Sequence, residues 1–189
     1  MTSQQSPYSP EQLFAQAASG DKQAFGAFYQ LYLDEIYRYI YFHVFDHQLA
    51  EDLTETTFLK AWKTLTAGKK KTKIKNMRAW IYRIAHNTVV DHHRTAKDEV
   101  AIDAVLHTRS GSTPLETLVE DRQQAAQLYG YITRLDPQYR QVIVLRFLNH
   151  MSHAETAQAM GIKEGHVRVL QYRALKQLHS LMAAESEET

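Results

Sequence analysis

The stretch Ser152-His153-Ala154-Glu155-Thr156-Ala157-Gln158-Ala159-Met160-Gly161-Ile162, continued by Lys163-Glu164-Gly165-His166-Val167-Arg168, decides how this chain is built. Ser152 with Glu155 three residues later is a capping box, in which each side chain satisfies the other's free backbone N–H at a helix start. Ala154, Ala157 and Met160 then recur at helical spacing, and Gly161 supplies the backbone angles of a tight turn that Ile162 plugs. Val167, Leu170, Ala174, Leu178 and Leu181 line one face of the following segment. The spacing predicts a helix-turn-helix, with small Ala157 allowing the two helices to approach closely. The outward face of the second helix carries His166, Arg168, Gln171, Tyr172, Arg173 and Lys176, a donor-rich set suited to a major groove with phosphates on either side. Taken alone, the stretch is equally compatible with a helical hairpin whose basic face is merely solvated.

Upstream, Tyr139, Val142, Ile143 and Phe147 form a preceding helical pattern. Another runs from near Glu116 through Leu118, Ala125, Leu128, Tyr131, Ile132 and Leu135, and stops at Asp136-Pro137 because the residue before proline avoids helical geometry. Between Asp98 and Leu115 lies Thr108-Arg109-Ser110-Gly111-Ser112-Thr113-Pro114, a composition of turns and coil that reads as a linker. Before it, Met77, Trp80, Ile81, Ile84, Ala85, Thr88 and Val89 recur every three or four residues. Phe25, Phe28, Leu31, Tyr32, Ile36, Tyr39 and Ile40, then Leu49, Leu53, Phe58, Leu59 and Trp62, do the same. Ala50, Glu51 and Asp52 open the latter segment with acids where a helix start favours them.

Charge sharpens this division. The formal net charge is only +1, but the segments differ. Lys69, Lys70, Lys71, Lys73, Lys75, Arg78, Arg83, Arg94 and Lys97 face a single acid, Asp91, whereas Asp98, Glu99, Asp103, Glu116, Glu120 and Asp121 face only Arg109. Two basic helical elements flanking an acidic connection are harder to explain by solubility than one. With 7 Gly and 4 Pro the chain has little turn chemistry for many short strands, and with 0 Cys it has no disulfide, thiol nucleophile or Cys-ligated metal site. The start lacks a signal peptide's basic flank and apolar run, and no stretch approaches the roughly 18 apolar residues of a membrane span, so a soluble cytoplasmic protein without membrane insertion is expected.

Two segments, Leu49–Trp62 and Met77–His92, resemble regions 2.2 to 2.4 of the extracytoplasmic-function (ECF) sigma factors of the sigma-70 family. Leu135–Val142 and Gly161–Arg168 resemble region 4 in the right order and separation, so the likeness covers about residues 20 to 182. It implies an all-α protein of two small helical domains, a sigma region 2 helical bundle and a sigma region 4 helix-turn-helix, joined by a flexible linker. The expected division is an N-terminal extension at 1–19, region 2 at 20–97, an acidic linker at 98–117, region 4 at 118–182 and an acidic tail at 183–189. The implied role is that of a dissociable, non-enzymatic initiation subunit of bacterial core RNA polymerase, with no catalytic or metal residue and no cofactor. Its partners would be the polymerase, through the β′ clamp helices and the β flap, promoter DNA and an anti-sigma factor.

Residue by residue, the resemblance makes Glu51, Asp52, Glu55, Phe58, Leu59 and Trp62 candidate polymerase contacts, with intramolecular core as the competing role of Phe58, Leu59 and Trp62. Thr56 stands where relatives usually carry an acid. Around the minus-10 element the candidates are Lys69, Lys70, Lys71, Lys73, Lys75 and Asn76 in a loop that captures a flipped base, then Arg83, Asn87, Asp91 and Arg94 on the next helix. Asp91 is read as a base acceptor or a positioning partner for Arg94 or Lys97. Trp80 and Ile84, on the opposite face, read as core. Around the minus-35 element they are Lys163, His166, Arg168, Gln171, Tyr172 and Arg173, with Lys163 replacing a usual capping Ser and Val169 and Leu170 replacing the usual Ser and Arg.

Two other readings remain. The ten histidines invite a metal enzyme, but His92 and His93 are adjacent and point apart on a helix, and His150 with His153 straddles a helix start. A free-standing helix-turn-helix regulator would read duplex DNA, usually as a dimer, but has no need of the block from Met77 to His92. Asp98, Glu99, Asp103 and Glu116 are expected to shield the basic surfaces of the free protein.

Overall fold

The computed structural model describes residues 9–67, 74, 76–100 and 119–186. Among these, every regular element is helical: α1 (Pro10–Ala18), α2 (Lys22–Val44), α3 (His47–Thr66), α4 (Met77–Val100), α5 (Val119–Arg134), α6 (Pro137–Ile143), α7 (His153–Met160) and α8 (Glu164–Ser186), with a π-helical turn, Val144–Leu148, continuing α6. No described helix is long and apolar enough to cross a membrane.

Local chemistry sets most boundaries. Ser9 and Gln12 cap α1 reciprocally with Pro10 at its first turn, so the described part of the segment expected to be an extension is a capped helix. Asp21 accepts from the backbone N–H groups of Gln23 and Ala24 to open α2. Phe45, at φ 55°, ends α2 in the left-handed region, and Asp46 accepts from Leu49 N–H at 2.9 Å to open α3. That helix therefore starts three residues before the acids Ala50-Glu51-Asp52 suggested. At the other end α4 runs to Val100, past Lys97, where the linker was expected to begin.

Apolar stripes from α2, α3 and α4 meet in a core rich in aromatic rings. Phe28, Ile36, Tyr39, Ile40, Ile81 and Tyr82 are fully buried, and each large apolar side chain so removed from water contributes about 1.5–3 kcal/mol. Phe14 of α1 closes one end, 5.3 Å edge-on from Trp80, which together with the partly buried Ile84 packs against this core as expected. The buried hydroxyls of Thr54 and Thr57 in α3 return to the carbonyls of Ala50 and Leu53, so they add no unsatisfied group.

The second half packs α6 against α8 and α7 between α8 and α4. Across the two halves, Ile132, Ile143, Val144, Leu145, Met151 and Ala159 join the same buried cluster as Phe28 and Tyr82. Polar bonds cross the boundary as well. Glu35 of α2 accepts from Arg78 Nη2 at 3.0 Å and from Tyr82 Oη at 3.1 Å, Arg78 also donates to the Asn149 carbonyl, and Asn149 donates to Tyr82 Oη. Gln141 of α6 reaches Tyr39 Oη at 3.3 Å and His86 Nδ1 at 2.8 Å. Arg140 closes the end of α5 through the carbonyls of Ile132, Thr133 and Leu135, with its guanidinium 4.8 Å above the Phe45 ring.

Candidate nucleic-acid and polymerase interfaces

Three surfaces carry the residues singled out in the sequence. The first is the outward face of α4. Arg83, Asn87 and Asp91 recur every fourth residue and are all exposed. Asp91 lies 3.3 Å from Lys60 Nζ and 3.9 Å from Arg94, with Lys60 a partner that spacing could not reveal. Both pairs are solvent-exposed and contribute little stability. Asn87 stands between Arg83 and Asp91 with its amide available to a base edge.

Both ends of the Asn76 amide are engaged within the fold. Its Oδ1 accepts from Ala79 N–H at 2.9 Å, which starts α4, and its Nδ2 donates to Glu155 Oε1 of α7 at 3.1 Å. Burial works against ionisation of Glu155, but hydrogen bonds from the Ser152 backbone, Asn76 and the Ser152 hydroxyl outweigh it and hold the carboxyl below its usual range. Lys69, Lys70, Lys71, Lys73 and Lys75 lie outside the described residues.

The second surface is the helix-turn-helix. Ser152 and Glu155 form the reciprocal cap, Gly161 takes φ 69°, and Ile162 N–H returns to the Ala157 carbonyl at 3.0 Å. A residue other than glycine would be strained at that φ. Lys163 starts α8 through its backbone: its carbonyl accepts from His166 N–H at 2.9 Å, which leaves its exposed side chain no capping duty. His166, Tyr172 and Arg173 are exposed as expected. Arg168 is exposed but bound at 2.6 Å to Glu164 one turn earlier, and Gln171 accepts from Arg146 Nε at 3.0 Å, so neither presents a free side chain. Leu170, which stands where relatives usually carry Arg, is buried, and Val169 is exposed.

These two surfaces lie against each other. A Cβ placed on Gly161 would come within 3.8 Å of the Arg83 guanidinium, so the turn before the α8 groove face lies beside the first residue of the α4 row.

The third surface is on α3. Glu51, Asp52 and Glu55 are exposed, and Leu59 is 58% exposed. Phe58 is 3% exposed and packs edge-on to Tyr29 at 4.7 Å, so its side chain is part of the core and forms the floor of this surface. Trp62 packs at a tilt against Phe25, with ring centroids 4.8 Å apart, and is half-buried. Glu55, Phe58, Leu59 and Trp62, with Lys22, Phe25 and Tyr29 of α2, line an open cleft of about 420 Å³. The α2 contribution was absent from the sequence reading, because periodicity assigns Phe25 to a buried stripe without saying which neighbour leaves it uncovered.

Comparison with known proteins agrees with this geometry. The family model for sigma-70 region 2 matches residues 28–99, and that for sigma-70 region 4 matches residues 125–178. The ECF RNA polymerase sigma factor BldN of Streptomyces coelicolor is 37% identical over 173 residues, covering 90% of this chain and 65% of that protein, so the present chain spans just under two thirds of BldN. The ECF RNA polymerase sigma factor SigM of Bacillus subtilis is 28% identical over 153 residues, covering 81% of this chain and 91% of SigM. Among solved structures, CnrH in complex with the cytosolic domain of CnrY superposes with a TM-score of 0.68 at 26% identity, covering 91% of this chain and 96% of CnrH.

Proposed function

Because the chain belongs to the sigma-70 family, as a member of its ECF branch, we propose that it is an initiation subunit that joins bacterial core RNA polymerase, recognises minus-35 and minus-10 promoter elements and promotes DNA-templated transcription. The observation that carries this reading is the coexistence of three faces in one small fold: the capped α7–α8 unit, the Arg83–Asn87–Asp91 row on α4, and an apolar cleft between α2 and α3 that includes Glu55, with Glu51 and Asp52 exposed earlier on the same helix. A duplex-binding regulator needs only the first of them. The α8 unit enters the major groove at minus-35, α4 with the preceding lysine loop engages the melted minus-10 strand, and the α2–α3 cleft takes the β′ clamp helices. The neighbourhood of α7 takes the β flap. Chemistry at the growing transcript belongs to the polymerase, and the site of action is the cytoplasm, where polymerase and chromosome meet. CnrH forms a complex with the cytosolic domain of CnrY, and that likeness supports an anti-sigma factor as a further partner of the present chain.

Leu59 tests the polymerase half of this reading. Leu59→Asp places a charge on an exposed apolar position that makes no core contact, so the fold is retained while an apolar docking surface loses on the order of 2 kcal/mol, or roughly thirty-fold in affinity. Size exclusion with core polymerase and run-off transcription on a promoter library should both show the loss. A chain that neither joins core polymerase nor directs start-site selection would overturn the proposal.

A further inference from the structure

The side of α8 opposite its buried edge carries a ridge whose composition does not match the polar set expected of a groove reader. Val167, Leu170 and Ala174 are buried against the rest of the fold. At about 100° per residue, the positions pointing most directly away from them are Gly165, Tyr172 and Lys176, with Val169 and Arg168 on either side of that line. Val169 is 45% and Tyr172 70% exposed, and a side chain at Gly165 would meet nothing within 4 Å. The crest of this helix is therefore bare backbone, then a ring with an isopropyl group along one flank, and only at its far end a cation.

The charges lie at the sides and ends of that crest. Arg168 and Arg173 flank it, Lys163 precedes it and Lys176 ends it, with Glu164 the acid among them and already paired to Arg168. Gln171, the amide otherwise best suited to a base edge, is held by Arg146. A protein partner covering this ridge would have to bring acids matched to each cation, whereas a duplex supplies a phosphate along both walls of the groove at every step. Within the major groove the one apolar group on offer is the 5-methyl of thymine. Residues three apart on a helix are neighbours, so Val169 and Tyr172 form one apolar contact rather than two.

We propose that Val169, with Tyr172 beside it, reads the 5-methyl group of a thymine in the minus-35 element, making this apolar pair a specificity determinant of the chain. The inference rests on the assignment of α7–α8 to the minus-35 element, and its test separates the two. A promoter is first selected by the chain with core polymerase from a library randomised at minus-35. Each thymine of the selected element, on either strand, is then replaced singly by deoxyuridine, which removes the methyl and nothing else. Binding by the complete complex should fall about four-fold at one position, the effect of one methyl group's burial. The same substitution should have no effect with Val169→Ala, while Val169→Thr, which keeps a methyl, retains much of the discrimination. Circular dichroism of each variant confirms the fold.

A selected element without thymine, indifference of the wild-type complex to every deoxyuridine, or a methyl effect that survives in both Val169→Ala and Tyr172→Ala would overturn the proposal. So would a Val169→Ala variant that binds promoter normally but no longer associates with core polymerase, since the ridge would then be a protein contact. If no promoter is selected at all, the initiation role fails as well.

Discussion

His43 shows how much a single buried side chain can reveal about pH. Its Nδ1 lies 2.7 Å from the Tyr39 carbonyl and its Nε2 is buried with no partner. Burial pushes its pKa down to about 4, against the Tyr39 carbonyl, which favours the protonated form; Arg140, His86 and His93 add to the depression. An unfolded chain takes up that proton near the ordinary histidine value of 6.5, so between the two values the unfolded state binds more protons. Stability is therefore full above about pH 6.5 and lost as the pH falls towards about 4, by on the order of 3 kcal/mol at most, with His86, also depressed by burial, acting in the same direction. Urea unfolding between about pH 7 and about pH 4.5 should show this slope, and His43→Leu should flatten it. An unchanged slope in that variant would assign the effect elsewhere. None of this was legible in the sequence, where His43 is one of ten histidines. For the same reason the two bonds that engage Asn76, to Ala79 and Glu155, could not be read there.

At the scale of elements the sequence was most informative where a helix start uses a side chain. The Ser152–Glu155 box and the left-handed Gly161 are both where spacing placed them. Ser152→Ala should lower stability by about 1 kcal/mol in thermal or urea unfolding, because Glu155 N–H then loses its acceptor. Complete indifference would mean that the Asn76–Glu155 bond alone holds this end of α7. The same signal was present and unread at Ser9-Pro10-Glu11-Gln12, where it starts α1. The π-helical turn after α6 had no comparable signal: Asn149 N–H bonds to the Val144 carbonyl at 2.9 Å because Asn149 must reach Tyr82 across the fold, a tertiary demand invisible to local pattern. Phe58 and Leu59 illustrate the limit of periodicity on α3. They are adjacent, both apolar and both candidates for the same surface, yet one is buried and the other exposed, and only the packing of α2 separates them.

For the whole molecule, fold class was readable from helical spacing and the scarcity of Gly and Pro, but the relation between the halves was not. Helical pattern predicts which faces are apolar and not which of them meet. The sequence left the placement of the two domains open, and the described halves share a core and the Glu35–Arg78–Asn149 bridge. Arg78→Ala leaves the Glu35 carboxylate and the Asn149 carbonyl without that donor and should weaken the association of the halves by about 1–3 kcal/mol. The absence of native cysteine makes the measurement clean, since dyes can be placed on Cys introduced at Lys63 and Ser180 alone. Energy transfer between them in the free chain should fall in the Arg78→Ala background, and equal transfer in both would reject the bridge as a fastening.

The nearness of Arg83 to Gly161 sets a condition on how such a molecule works. By their own coordinates the minus-10 and minus-35 elements are about 25 base pairs apart, about 85 Å of straight duplex, so no single posture in which these two residues are neighbours can serve both addresses at once. On the proposed assignment of these two surfaces, the folded free chain is a closed clasp that has to open before a start site can be held.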